Sequence, residues 1–206
     1  FPAPTTVERG PAGAPLVVLL HGRGSDAADV FGLAEQLPEG LHYIAVNAPI
    51  TEGGGYAWFA NRGIGRPVAE SLADTMAWFR QWLDAAAPSG RPVFLVGFSG
   101  GAAFAGGLLL AEPSRFAGVA ILNGTLPFDA GVPTTAGRLD GAQVFLALGS
   151  QDTVIPVDLQ ERTWAYLTGE SGATTAAARY PAGHTISQPA AEALSSWLGE
   201  LTEAPS

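Results

Sequence analysis

The strongest constraint on this chain is a pentapeptide, Gly97-Phe98-Ser99-Gly100-Gly101. It lies between the apolar run Pro92-Val93-Phe94-Leu95-Val96 and a stretch of small apolar residues. A Gly-x-Ser-x-Gly sequence between a strand and a helix predicts a reversal so tight that only glycines leave room for neighbouring backbone. The serine at its apex is held strained. Its hydroxyl is carried to the C-terminal end of the strand, with a helix N-terminus behind it to favour developing negative charge.

The same alternation of strand and helix patterns runs through all 206 residues. Apolar, often β-branched runs at 16–20, 42–46, 92–96, 118–122, 143–148 and 175–180 predict strands. Segments 27–37, 68–86, 101–111, 158–168 and 189–201 predict helices. The second helix is the clearest, with Val68, Leu72, Thr75, Met76, Phe79, Trp82 and Leu83 on one face. Asp26 suits the N-cap of the first helix, and Pro67 and Pro189 suit helix starts. Strands separated by helices imply a parallel sheet covered on both faces. Right-handed crossovers then bring the strands' C-terminal ends to one edge, where ligands bind. The irregular stretches 47–66 and 123–140 follow strands on that edge, and the Pro/Gly-rich first dozen residues hold a short edge strand or fray. The expectation is one α/β domain over 1–206, with a mostly parallel sheet of six to seven strands and no large lid.

Composition excludes several classes of function. Hydrophobic residues make up 47% and charged residues 14%, which describes a packed chain and not a disordered one. The formal charge is −9 and all ten basic residues are arginines, so nucleic acids and anionic membranes are disfavoured partners. No apolar run approaches the roughly 18 residues of a membrane span. The absence of cysteine removes disulfides, thiolate metal sites and a cysteine nucleophile. No basic segment followed by an apolar one opens the chain, so a cytoplasmic location is expected. A monomer or a homodimer is expected.

An elbow serine needs a base to take its proton and an acid to orient the base. Three histidines are available. His42 starts a strand, on the wrong edge, and reads as structural. His21, in His21-Gly22-Arg23-Gly24, reads as a buttress of the loop after the first long strand. His184, in Tyr180-Pro181-Ala182-Gly183-His184, follows the last strand and can reach back to Ser99. Asp152 follows the run Val144-Phe145-Leu146-Ala147-Leu148 and is placed to accept from a histidine ring. Asp140 precedes its strand and Asp158 starts a helix, so both are poorer candidates. The order Ser99, Asp152, His184 is that of the α/β-hydrolase triad. The oxyanion donors expected are the backbone N–H of Gly100, after the nucleophile, and that of Arg23 in the glycine-flanked loop. No metal-ligand cluster and no cofactor motif is present, and none is needed for such chemistry.

With these pieces in view, the chain resembles the phospholipase/carboxylesterase family of α/β-hydrolases, which includes acyl-protein thioesterases and small bacterial carboxylesterases. The resemblance rests on Leu20-His21-Gly22-Arg23-Gly24-Ser25-Asp26, Tyr56-Ala57-Trp58-Phe59, Gly97-Phe98-Ser99-Gly100-Gly101-Ala102, Gly149-Ser150-Gln151-Asp152-Thr153-Val154-Ile155-Pro156 and Tyr180-Pro181-Ala182-Gly183-His184-Thr185-Ile186. It implies a Ser99–His184–Asp152 triad with Arg23 and Gly100 as backbone donors. One position departs: the family usually carries glutamine where this chain has Gly100. A backbone donor survives that change.

The expected activity is hydrolysis of small-molecule carboxylic esters with short-to-medium acyl chains through an acyl-enzyme. Thioester or lysophospholipid hydrolysis on the same triad is the near alternative. Amide hydrolysis, perhydrolysis and a noncatalytic binding role are more distant. Trp58, Phe59, Ile155 and Ile186 are expected to line an apolar acyl pocket, although Trp58 and Phe59 could equally anchor their loop to the core.

Overall fold

Short apolar runs bounded by turn residues, such as Leu16–Leu20 and Gly118–Leu122, become strands here because both of their faces are covered. A computed structural model describes residues 1–203; the last residues of the expected domain, 204–206, lie outside the described residues. Nine strands are present among them: β1 (Thr6–Arg9), β2 (Leu16–Leu20), β3 (His42–Val46), β4 (Ile50–Glu52), β5 (Gly55–Ala57), β6 (Val93–Phe98), β7 (Gly118–Leu122), β8 (Gln143–Gly149) and β9 (Thr174–Tyr180). The helices are α1 (Ala27–Phe31), α2 (Ala69–Ala86), α3 (Gly100–Ala111), α4 (Val157–Ala165) and α5 (Gln188–Thr202).

Seven strands form one sheet in the order β1-β3-β2-β6-β7-β8-β9. All neighbours are parallel except β1, which pairs antiparallel with β3 from Thr6 opposite Val46 to Arg9 opposite Tyr43. The chain's start therefore supplies an edge strand. Alternation along β2 divides the core between two faces. Leu16, Val18 and Leu20 pack with α2 and α3, whereas Val17 and Leu19 pack with α1 and α5. α3 has no polar face: Ala102 to Leu110 are buried between the sheet and α2, which fixes the helix behind the elbow.

Three elements differ from the sequence expectation, each for a local reason. The helix at 27–37 ends at Phe31 and tightens into a 3₁₀ segment, Gly32–Gln36, ahead of Pro38. Asp26 caps α1 as expected, its carboxylate accepting from the Asp29 N–H at 2.8 Å. The helix at 158–168 ends at Ala165 and widens into a π turn, Tyr166–Glu170, closed by the Ser171 N–H on the Tyr166 carbonyl. The stretch 47–66 is not irregular throughout, because β4 and β5 form a hairpin whose turn residues Gly53 and Gly54 both take positive φ, 56° and 84°. Two glycines in that conformation give the turn that matches strand twist.

Candidate active site

The elbow is built by close approach. Ser99 has φ 55° and ψ −114°, a conformation that costs a non-glycine residue about 1–3 kcal/mol. A Cβ on Gly97 would run into the Gly101 carbonyl, and one on Gly101 into the Leu20 carbonyl, so strand and helix meet only as glycines. The turn is held by the Ser99 N–H on the Leu122 carbonyl, 2.9 Å, and by the Ser99 carbonyl, which accepts from Ala102 and Ala103 and starts α3. The hydroxyl therefore stands at the sheet's C-terminal edge on a backbone that packing over-determines.

Two other strand ends bring partners to it. His184 Nε2 accepts from the Ser99 hydroxyl at 2.9 Å, and its Nδ1–H donates to Asp152 Oδ2 at 2.7 Å. The second oxygen of Asp152 accepts from the Val154 and Ile155 N–H groups, at 2.8 and 3.1 Å. Burial tends to raise the Asp152 carboxyl. The bonds from His184 and from the Ile155 and Val154 amides outweigh burial and hold it below the usual aspartate value. An ionised Asp152 in turn fixes the imidazole as the Nδ1–H tautomer, with Nε2 free to accept.

The acid and base loops are tied to each other. Ser150 and Gln151 donate from their backbones to Tyr180 and Ala182, and the Phe98 ring lies 5.1 Å from the His184 ring, centroid to centroid. Asn123, just past β7, adds a clip that the sequence reading did not single out. It is buried with φ 47°, and its Nδ2 donates to the Gly183 carbonyl at 3.1 Å, next to His184. An asparagine directly after a strand on the ligand-binding edge, a residue type that tolerates left-handed backbone, was the available cue.

The donor loop follows β2. The Arg23 N lies 3.3 Å from where a Cβ on Gly100 would stand, so the two backbones are in contact beside Ser99. Neither the Arg23 nor the Gly100 N–H meets a protein acceptor among the described residues. Both are left as donors, Gly100 at the N-terminus of α3 and Arg23 from the loop packed against it. The loop is stapled to the hairpin: Gly24 N–H donates to the Tyr56 carbonyl at 2.8 Å and Tyr56 N–H to the Ser25 carbonyl at 2.9 Å. The Arg23 guanidinium grips the Glu52 carboxylate through two nitrogens. That bond raises the Arg23 pKa and lowers that of Glu52.

His21 lies beneath the loop and is fully buried. Its Nδ1–H donates to the Gly22 carbonyl at 2.7 Å and its Nε2 accepts from Ala48 at 3.0 Å. Burial lowers its pKa against the raising effects of that Gly22 bond, Asp26 and Asp29, so the ring is held neutral. His42, far from Ser99, spans Glu8 and Arg91 at 2.7 and 2.6 Å.

A cavity of about 360 Å³ opens over Ser99, lined by His184, Gly100, Phe59, Ile64, Ala103, Leu126 and Ile155 among others. The expected pocket residues divide. Phe59 and Ile155 line this cavity, whereas Trp58 and Ile186 do not. Trp58 is 2% exposed, stacks on Phe104 with ring centroids 4.7 Å apart, and donates its indole N–H to the His21 carbonyl. Hydrogen bonding and stacking therefore claim it as the anchor of the donor loop. Ile186 faces a separate cavity of about 240 Å³ with Leu33, Phe98 and Thr185, because the chain turns into α5 directly after His184. The larger cavity also contains a residue the sequence did not mark, Asn61, whose buried side-chain oxygen has no partner among the described residues.

A seven-stranded, mostly parallel sheet with its first strand reversed, and an elbow serine after the central β6, defines an α/β-hydrolase. A sequence profile described as phospholipase/carboxylesterase matches residues 3–201. The chain belongs to that family and is a hydrolase of the carboxylic-ester class. The MhqD protein of Bacillus subtilis (strain 168) is 26% identical over 193 residues, covering 90% of this chain and 92% of that protein. The carboxylesterase from Mesorhizobium loti superposes with a TM-score of 0.84 at 26% identity, over 96% of this chain and 95% of the other. The Bacillus cereus carboxylesterase gives 0.84 at 22% identity, over 96% and 94%, a likeness of fold.

Proposed function

We propose that the chain, acting as one domain over 1–206, hydrolyses carboxylic esters of short-to-medium acyl chains with Ser99 as nucleophile, His184 as base and Asp152 as its orienter. The observation that carries this reading is the unbroken hydrogen-bonded line from Ser99 through His184 to Asp152, set beside two unpaired backbone N–H groups.

His184 Nε2 takes the hydroxyl proton as Ser99 Oγ attacks the ester carbonyl carbon. The carbonyl oxygen becomes an oxyanion, received by the Arg23 and Gly100 N–H groups, each such donor contributing about 2.7–4 kcal/mol. The C–O bond to the alcohol breaks, and the alcohol leaves with the proton from His184. Water, deprotonated by the same ring, then attacks the acyl-enzyme and frees the acid and Ser99. Asp152, held ionised, stabilises the imidazolium at each stage. The acyl chain lies along Phe59, Ile64 and Ile155, which line the cavity over Ser99 together with His184.

Replacing Ser99 with alanine tests the reading. Hydrolysis of p-nitrophenyl butyrate should fall by on the order of a thousandfold or more, with the circular dichroism and melting curve retained. Labelling by a fluorophosphonate should disappear in the same variant. Labelling that persists would place the nucleophile elsewhere.

A further inference from the structure

The chain carries a formal charge of −9, yet its cations are not evenly spread. Eight of the ten arginines lie against a carboxylate or a backbone carbonyl among the described residues, as Arg9 does on Ala34 and Arg138 on Leu110. The two exceptions are Arg62 and Arg66, and they are neighbours.

Both belong to a flap over residues 61–67, between β5 and α2. The flap is closed by the Arg62 N–H on the Arg66 carbonyl at 2.9 Å and the Arg66 N–H on the Gly63 carbonyl at 3.0 Å. Pairing of Asn61 with Pro67 extends the clasp. Backbone bonding thus sets the two unpartnered side chains out from adjacent positions.

They line a cavity of about 230 Å³ together with Arg162, Phe128 and Asp129. Arg162 is already ordered there, its guanidinium 4.1 Å from the Phe128 ring centre and 3.1 Å from Asp129 Oδ2. Three arginines and one aspartate thus line this cavity, a local excess of positive charge on an acidic molecule. The wall between this cavity and the one over Ser99 is the flap itself, since Gly65 and Pro67 line both.

We propose that Arg62, Arg66 and Arg162 form a seat for an anionic group, a carboxylate or a phosphate, carried at the far end of the substrate's acyl portion. The inference rests on the esterase reading above and names the substrate class of that site. The overall negative field repels free anions, so a small positive patch at the edge of the reaction cavity selects an anion held at a fixed reach from the ester. Guanidinium groups suit this role, because they remain charged and bind carboxylate or phosphate through paired N–H groups. The neutral acyl chain stays in the apolar cavity while its end crosses the flap.

The test uses p-nitrophenyl esters of matched chain length that end in a methyl, a carboxylate or a phosphate group. In the intact protein, one length of carboxylate- or phosphate-ended ester should exceed its methyl-ended partner in kcat/KM, and added salt should erode that preference. Which of the two anions gives the larger preference identifies the group. In the double variant Arg62→Gln, Arg66→Gln the anionic-to-neutral ratio should drop about tenfold, mainly through KM. Comparison within each variant cancels any loss of folded protein. A ratio equal in both proteins, or anionic esters disfavoured at every length, overturns the proposal. Suberate dianion titrated against the Arg162 side-chain and Gly65 backbone N–H resonances, which both proteins retain, reads the seat without turnover. Shifts that vanish in the double variant, with no ester hydrolysed, refute the esterase reading and leave the seat standing. An absence of shifts refutes the seat.

Discussion

At the scale of single residues, position 100 sets chemistry against stability. A Cβ there would stand 3.3 Å from the Arg23 N and 3.5 Å from the Arg23 Cβ, close enough to push one donor away from the other. Gly100 also opens α3, where alanine is favoured over glycine by about 0.5–1 kcal/mol. Gly100→Ala should therefore raise the melting temperature by a degree or more while kcat falls about tenfold with KM little changed. Calorimetry and steady-state rates on the same preparation check both halves, and an unaltered kcat would remove Gly100 from the oxyanion site. Sequence reading proposed Ser99, Asp152 and His184 together because each lies just beyond an expected strand, a local signal. It could not separate Trp58 from Phe59. The two are adjacent aromatics, and what divides them is contact with His21 and Phe104, which are distant in the chain. Asn123 stayed invisible for a similar reason, since its partner Gly183 is 60 residues away.

Among the elements, the β4–β5 hairpin has the least expected role. It was legible only as part of a long loop, because strands of three residues carry too short a pattern to show alternation. Its pairing with the loop after β2 and the Glu52 grip on Arg23 make it the outer support of the Arg23 backbone, proposed above as an oxyanion donor. Both side chains of the ion pair are more than a third exposed, 41% and 37%, so the pair contributes little to global stability, within about 1 kcal/mol. Glu52→Gln should accordingly leave the melting temperature almost in place and lower kcat several-fold. The exchanged pair Arg23→Glu, Glu52→Arg should recover part of that loss. Loss of kcat and melting temperature in equal measure would make Glu52 merely structural. Six of the sheet's seven strands were readable to within a residue or two, because short apolar runs suit a covered parallel sheet, whereas β1, which has no such run, was left open between an edge strand and a frayed end.

Across the whole molecule, the same groups that arrange the site govern its response to acid. His21 has a folded pKa below the value of about 6.5 it takes when unfolded. The unfolded chain thus binds more protons as pH drops, so stability is full above that pH and declines below it. Asp152 also has a lowered folded pKa, and its contribution is lost only as pH falls below about 3.9 towards the folded value. Melting temperature measured from neutral to acid pH should fall in two stages. His21→Gln should blunt the earlier stage and Asp152→Asn the later one. A flat curve between about pH 7 and 5 would mean that His21 does not stay neutral in the fold. The connection between β3 and α2 has another consequence. Its 22 residues, 47–68, contain the hairpin stapled to the Arg23 loop, the Trp58 anchor, the Phe59 wall and the arginine-bearing flap. One uninterrupted segment that contains neither Ser99, Asp152 nor His184 thereby supplies one side of both cavities, the other side coming from residues such as Ile155 and Arg162. On the reading proposed above, exchange of that segment between relatives should shift selectivity in part while leaving the proposed triad where it is.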